Sequence, residues 1–562
     1  MSQPSNPCGD KVLRNLTLLL FALSLWQGPA TAQTRPGDRA VFTEVADVRR
    51  VSVDVVVTDP AGAPVRGLER DDFELRIRGE VVPLSNFSEV AVGATDEEAS
   101  VDRATLLVLI DQRTGDAALR RSLLSDVRSL LTPLLDQTRG ISVATLSQRL
   151  EMLQPLTRDE VLLEAAFDEA TQPRPLSPGE MGPLLRQIEL ARPLSPEDEV
   201  ANGLAIRQAS TLLAQIRAQA REDRLRTTRA TLELSRLVRA LAAQPTRTCV
   251  LLLSGGLEST PTELAFRLWW AKFGDAGPSF GVQSIEAEMA RIDGLGSVAP
   301  VITDATNGRV IFYTLGLGST RHSTGSAQFA TSGFLDAQLQ TLEDPLAVLD
   351  RLARETGGLS ALRPRRTGQL LDSLLRDLTH YYALAFDPAQ VSAPNGRLRV
   401  RVNRPGVEVR AARRFAARET DDALEDRLMA ALFLGQVDNR HRVRAAVGKR
   451  TRSGKNRYLV ELVLRVPVAE VVLLPDAEFH RGSLEISVAA RSAGGGSSTP
   501  FLGQMPVEIP NSEVLQWLPR EIGSTLQLEI SDERQNIGVA VRDTVGRTIS
   551  TLQLAFDPQE RR

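Results

Sequence analysis

Cysteine is nearly absent: of 562 residues only Cys8 and Cys249 are cysteine. That excludes a disulfide framework and any cysteine-built zinc site. Histidine is as scarce, and His322, His380, His441 and His480 are scattered without metal-ligand spacing. Lysine is rare too, with Lys11, Lys272, Lys449 and Lys455 the only four among 67 basic residues. The net charge of −3 gives no basic footprint for nucleic acid, and the arginine bias reads as base composition. Past the first thirty residues no run of about 18 apolar residues occurs, so no membrane-spanning helix is expected after them. Enzyme signatures are missing as well. There is no Gly-x-Ser-x-Gly elbow and no phosphate-binding Gly-x-x-x-x-Gly-Lys loop. Gly316-Leu-Gly-Ser-Thr320 lacks the following helix that a dinucleotide site needs, and pairs such as Asp71-Asp72 and Asp421-Asp422 are ordinary surface acids. Neither an enzyme nor a resident cofactor is expected.

What the chain does have begins with an export pattern. Lys11 and Arg14 precede an apolar stretch from Leu16 to Trp26, too short to span a bilayer, and Ala30-Thr31-Ala32 fits a small-x-small cleavage site. Residues 1–32 are therefore expected to be a signal peptide, with Gln33 the mature start and a periplasmic or extracellular destination. Cleavage leaves Cys249 as the single thiol, in an apolar strand where cysteine behaves as a small hydrophobe.

The length suggests roughly three to four domains. Residues 44–92 read as strands: Val51, Val53, Val55 and Val57 alternate with other residues, Asp59-Pro60-Ala61-Gly62 is a turn, and Arg78-Gly79-Glu80 closes a hairpin. Residues 93–103 form a small acidic linker. Residues 104–380 alternate strand and helix, as an α/β domain with a parallel sheet does. Its strands include Thr105–Asp111, Gly140–Leu146, Cys249–Ser254 and Arg309–Leu315. Leu119, Leu123, Val127, Leu130 and Leu134 recur at helical spacing, and Thr157 with Glu160 predicts a capping box. Residues 172–245 are a helical insert with an apolar stripe through Leu212, Leu213, Ile216, Ala220, Leu225, Leu232, Leu237, Val238 and Leu241. Within it, Arg221 to Arg229 reads as a solvated face. Strands return at 380–415, with Pro394-Asn395-Gly396 and Arg404-Pro405-Gly406 as turns, and are expected to complete a sandwich with 44–92. Residues 421–436 read as a connecting helix, and 437–562 as an immunoglobulin-like β-sandwich.

The strand Thr105–Asp111 ends in an acid, and the strand Cys249–Ser254 opens into Gly255-Gly256. This arrangement resembles a von Willebrand factor A (VWA) domain. The stretch Val51 to Leu68 followed by Asp72-Phe73-Glu74-Leu75, with Leu352–Gly358 and Tyr381–Phe386, resembles the bacterial "VWFA-related" family of exported proteins. The resemblance implies a doubly wound, mostly parallel sheet flanked by β-sandwich modules. It also implies a divalent-ion site, with Asp-x-Ser-x-Ser on the first loop and an Asp on a later one. Here the first loop reads Asp111-Gln112-Arg113-Thr114-Gly115 and the later one Ser254-Gly255-Gly256. Both serine positions and the second carboxylate are lost, and Arg113 brings a cation where the metal would sit. Asp111 alone would hold Mg²⁺ only weakly, so a degenerate, metal-free site is expected.

Arg113 could instead meet a partner's carboxylate, pair with Asp111, or leave Asp111 to cap the helix near Asp116. Thr114 is off the family's register unless a local shift presents its hydroxyl. Thr260-Pro261-Thr262-Glu263 predicts a capped helix carrying Phe266, Trp269, Trp270 and Phe273. Adjacent tryptophans point about 100° apart on a helix, so one is expected to face outward and suit an interface. The candidate partner-binding residues are thus Arg113, Thr114, Ser254, Trp269 and Trp270. The reading is an adhesion or scaffold protein that binds another protein. A structural envelope part without ligand binding, and a hydrolase whose site carries no signature, are the alternatives.

Overall fold

The structure, a computed structural model, describes residues 51–91, 103–147, 149–172, 181–193, 199–244, 246–257, 262–274, 280–284, 298–318, 346–392, 395–416, 420–492 and 495–558. The expected signal segment 1–32, nearly all of the linker 93–103, the Thr260-Pro261 cap and most of residues 274–303 and 316–344 lie outside them.

The chain enters through β1 (Val51–Thr58), β2 (Phe73–Ile77), β3 (Glu80–Val82) and β4 (Asn86–Ala91). Arg78 and Gly79 join β2 to β3 with φ of +54° and +92°, the doubly left-handed turn that matches strand twist. Val53, Val55 and Val57 of β1 and Phe73, Leu75 and Ile77 of β2 point into one core. Strands from far down the chain complete it, as described below.

A second layer system follows. It comprises β5 (Thr105–Asp111), α1 (Ala117–Ser129), α2 (Leu131–Gln137), β6 (Gly140–Leu146), β7 (Leu150–Thr157) and α3 (Glu160–Thr171). It continues through α4 (Met181–Leu190), α5 (Glu199–Ala242), β8 (Thr248–Ser254), α6 (Thr262–Phe273) and α7 (Ala299–Asn307). Last come β9 (Val310–Gly316), α8 (Ala347–Thr356), β10 (Ser360–Ala361) and α9 (Thr367–Thr379). The six strands form one sheet in the order β10-β9-β8-β5-β6-β7, parallel except for β7, which runs antiparallel to β6. Every residue of β5, β6, β8 and β9 is buried, as strands covered on both faces must be. Leu107 and Leu109 pack toward α5, α7 and α8, while Leu106, Val108 and Ile110 pack toward α1, α2, α3 and α9.

Local details correct the sequence reading. The apolar stripe from Leu119 to Leu134 spans two helices that meet at Leu130. Thr157 is not a cap but the end of β7; Asp159 caps α3, its Oδ1 accepting from Val161 N at 2.9 Å and Leu162 N at 3.3 Å. Leu225 and Leu232 of α5 are 55% and 50% exposed, and Ala230 and Leu234 take the inward positions. Arg221 to Arg229 is not wholly solvated either, because Asp223 is buried and bonded to Gln219 Nε2 at 2.9 Å.

Strands β11 (His380–Phe386), β12 (Asn395–Val402), β13 (Glu408–Ala411) and β14 (Arg414–Ala416) return to the entry strands. One sheet runs β13-β1-β11-β4 and the other β14-β12-β2-β3, closing over the core that holds Tyr382, Leu384 and Phe386. Asn395 and Gly396 belong to β12, paired with Ala416 and Phe415, rather than to a turn.

Helix α10 (Thr420–Leu434) does more than connect. Leu424, Leu428, Met429, Leu432 and Phe433 sit in the same core as α5 and the parallel sheet, together with Ala489 and Ala540 of the last module. That module has β15 (Arg444–Gly454), β16 (Arg457–Pro467), β17 (Leu474–Pro475), β18 (Phe479–Ser492), β19 (Phe501–Pro510), α11 (Val514–Trp517), β20 (Glu521–Ser531), β21 (Gln535–Asp543) and β22 (Ile549–Phe556). Its two antiparallel sheets, β15-β16-β20 and β17-β18-β21-β22 with β19 on β18, enclose Val460, Leu462, Ile486, Val539 and Val541.

Candidate functional site

The order of the parallel sheet fixes where a crevice should form. From β5 the chain winds outward through β6 and β7, then crosses back to β8, β9 and β10 on the other side. The winding reverses between β5 and β8, and open α/β sheets bind ligands at the carboxyl ends of such a pair. Asp111 ends β5 and Ser254 ends β8, so two of the residues singled out from the sequence meet there.

The Asp111 carboxylate, fully buried, is saturated by donors of its own chain. Oδ1 accepts from Arg113 N at 3.0 Å and Arg113 Nε at 3.1 Å. Oδ2 accepts from Arg113 Nη2 at 3.1 Å, Thr114 Oγ1 at 3.1 Å and Ser254 Oγ at 2.7 Å. Five donors thus meet a group with about four lone-pair positions. The Ser254 and Thr114 hydroxyls are held in turn: Gly256 N donates to Ser254 Oγ at 3.0 Å and Gly255 N to Thr114 Oγ1 at 3.1 Å. Asp111 therefore pairs with Arg113 and does not cap a helix. The cap of α1 is Asp116, which accepts from Leu119 N at 2.7 Å.

The loops also close sterically. Gly115 has φ +88°, and a Cβ there would lie 2.4 Å from Leu317 Cβ. A Cβ on Gly255 would lie 2.3 Å from Gly115 N. Leu317 N donates to Ser254 O at 2.9 Å and Asp116 N to Leu317 O at 2.8 Å, so the ends of β5, β8 and β9 are laced together. This donor set does not fit a hard divalent cation. The carboxylate is occupied, a guanidinium lies against it, and neither glycine position has room for a side-chain oxygen ligand. Among the described residues no group of three or more His, Cys, Asp or Glu side chains gathers as a metal set. Arg113 keeps 15% of its side chain exposed, so its guanidinium is largely covered where it meets Asp111.

The tryptophan helix is placed elsewhere. Trp269 is fully buried, with Nε1 donating to Ala209 O at 2.8 Å, and joins Phe266 and Phe273 in a core shared with α4 and α5. Trp270 is half-buried and packs against the same core, so neither ring is free as the sequence reading expected. Cys249 is buried, and burial pushes its thiol up to about 11, keeping it protonated.

A charged cluster that sequence reasoning missed lies near the opposite end of the parallel strands. Asp377 of α9 accepts from Tyr313 Oη at 2.6 Å and from Arg410 Nη2 at 2.7 and 2.8 Å. Arg247, wholly buried, donates from Nη1 to Asp377 O at 2.8 Å and stacks 4.5 Å from the Tyr381 ring centre. Arg309 clasps Asp54 of β1 through Nε at 3.1 and 3.2 Å and Nη2 at 2.8 Å. Burial, and then Asp377, push the Tyr313 phenol well above its ordinary range, so it stays a donor. These contacts tie β1, β11 and β13 to the parallel sheet. Asp54 sits among alternating valines where a solvent-facing residue is expected, so only tertiary context reveals it.

The described histidines are each held by neighbouring side chains. His380 Nε2 lies 2.7 Å from Glu89 Oε1, and His480 Nδ1 lies 2.7 Å from Asn511 Oδ1, while His322 is outside the described residues. His441 is buried between Ser550 Oγ and Thr548 Oγ1, each 2.7 Å from a ring nitrogen. Burial holds its imidazole below the ordinary value of 6.5, with Arg440 acting in the same sense and Asp543, Glu470 and Asp438 opposing. A depressed folded value means the fold favours neutral His441. Its contribution is complete above about pH 6.5 and declines as pH falls toward and through the folded value. The difference in unfolding midpoint between wild type and His441→Gln is therefore expected to shrink from pH 7.5 to pH 5; a constant difference would contradict this.

No protein-family model matches the sequence, and no curated protein matches it. Among solved structures the chain is similar to proximal thread matrix protein 1 from the mussel byssus, at 12% identity and a TM-score of 0.18, over 52% of this chain and 49% of that one. It thus spans about half the length of that protein. It is also similar to a protein from Archaeoglobus fulgidus, at 11% identity and a TM-score of 0.14, over 22% of this chain and 100% of that one. A third likeness is to three N-terminal domains of the type V pili tip protein Mfa5 from Porphyromonas gingivalis, at 10% identity and a TM-score of 0.24, over 91% and 78%. Likenesses at this level fix neither fold family nor function. No described helix is long and apolar enough to cross a membrane.

Proposed function

We propose that the chain is an exported, VWA-like protein of the periplasm or extracellular space that binds another protein, with no metal in the contact. The observation that carries the proposal is the mouth between β5 and β8. It stands at the reversal of winding, where such sheets bind ligands, yet it is sealed by its own loops and rimmed by Arg113. Strand ends packed this closely leave no room between them for a small molecule, which needs a concave pocket, and so suit contact with a protein surface better. Thr114 and Ser254 then act as supports that hold the Asp111–Arg113 pair in place. The export pattern before Gln33 supports the destination.

The sealing itself favours a second reading, a structural envelope part with no ligand. The two are separated by capture from envelope extract with the full chain and with Ala118→Arg. This exposed position in the first turn of α1 lies beside the mouth without touching Asp111. A captured protein lost with Ala118→Arg supports docking at this face. The same proteins captured by both would move docking elsewhere, and none captured by either would favour the structural part.

A further inference from the structure

Strand β12 runs Asn395-Gly396-Arg397-Leu398-Arg399-Val400-Arg401-Val402, and after Asn395 its three outward positions are all arginine. Leu398 is buried in the sandwich core and Val400 and Val402 pack against it, while Arg397, Arg399 and Arg401 are exposed. Residues directly opposite on antiparallel strands share a face. Arg399 stands opposite Arg76, Arg401 opposite Glu74, and Arg397 opposite Arg414. The outer face of this sheet thus carries five arginines and one glutamate in a chain whose net charge is −3.

The counter-charges are few. Glu74 bonds Arg76 Nε at 2.5 Å, and Glu355 bonds Arg414 Nε at 3.2 Å. Arg401 acts on Glu74 only through longer-range attraction. Arg397 and Arg399 have no side-chain hydrogen bond or ion pair with any described residue. Like charges directly opposite on neighbouring strands are destabilising, so the pairs Arg399/Arg76 and Arg397/Arg414 cost the fold stability. A function that uses them explains their presence better than stability does.

We infer that this face docks an extended acidic peptide segment with carboxylates at alternate residues. Guanidinium groups match carboxylates through two parallel hydrogen bonds. Alternate side chains on a strand repeat at roughly 6.6–6.8 Å, and alternate side chains of any extended polypeptide repeat at the same distance. Acids at every second residue therefore fall into register with Arg397, Arg399 and Arg401. Outward positions here carry no aromatic ring to stack on a nucleic-acid base. The one exposed apolar side chain opposite Arg76, Val81, is too little to insert into a lipid surface. The face belongs to the sandwich and does not depend on the reading of the β5–β8 mouth.

The test is fluorescence anisotropy with the full chain and a labelled peptide of five Glu-Thr repeats. A block peptide of five Glu then five Thr serves as the equal-charge control. The alternating peptide is expected to bind at low salt, at least fivefold tighter than the block peptide, and to weaken as salt rises. Arg397→Glu with Arg399→Glu should cut its affinity at least tenfold, and Arg397→Lys with Arg399→Lys about two- to threefold. The charge-reversed variant should unfold at the wild-type midpoint or above, since it relieves the Arg397/Arg414 and Arg399/Arg76 repulsions, so lost binding cannot reflect lost folding. Equal affinity for both peptides, indifference to the double reversal, or tighter binding of polyuronate or single-stranded DNA would overturn the proposal.

Discussion

Asp377→Ala is expected to lower the unfolding free energy by about 3–5 kcal/mol, the cost of removing one partner from a buried ion pair. Asp377 is 2% exposed and is the acceptor on which Tyr313 and Arg410 converge. Without it Arg410 loses its carboxylate partner, Arg247 and Arg309 are left with the single carboxylate of Asp54, and the Tyr313 hydroxyl loses its acceptor. Arg247→Met should behave differently although Arg247 is wholly buried. Asp54 keeps Arg309 and Asp377 keeps Arg410, so both carboxylates stay paired, and an unbranched apolar side chain fills the space. A change within about 1 kcal/mol is expected there, as buried charges often give way to apolar residues without loss. Urea unfolding at pH 7 checks both. Similar losses for the two variants would mean that Arg247, not Asp377, is the centre of the cluster.

Asp111→Ala is expected to cost a similar amount, about 3–5 kcal/mol, because it strands the Arg113 guanidinium and the Thr114 and Ser254 hydroxyls together. Asp116→Ala, five residues on, removes an exposed helix cap and should cost only about 1 kcal/mol. The contrast separates a carboxylate that joins two loops from one that caps a helix end. Introducing a carboxylate at Gly255 should also fail to build a metal site. Gly255→Asp places a Cβ 2.3 Å from Gly115 N, so it should destabilise rather than rebuild a metal site.

The sequence shows some elements plainly and hides others for identifiable reasons. The apolar runs of β5 and β8 are visible because both faces of those strands are buried and nothing polar interrupts them. β15 is hidden because Arg444–Gly454 is charged and carries register shifts that break its period. α10 reads as a connector because its apolar residues occur all round, which marks a helix buried on several sides rather than a surface one. At the strand ends, Asp111 and Arg113 were legible as neighbours, but three outcomes for Arg113 stayed open. The closing contacts come from Thr114, Ser254 and the glycines, and depend on a φ of +88° at Gly115 that residue identity alone does not give. The Asp54–Arg309 clasp and the Asp377 cluster were invisible because they draw on β1, α9, β13 and the residues just before β8 and β9. No spacing rule links those positions.

The most direct test of a metal-free mouth is isothermal titration of Mg²⁺ and of Mn²⁺ into the full chain, with Asp111→Asn as the control that keeps one acceptor oxygen. Saturation of Asp111 by Arg113, Thr114 and Ser254 predicts no saturable heat from either ion in either protein. One-site binding in the wild type that disappears in Asp111→Asn would contradict it, and would mean that the loops open to let a cation displace Arg113.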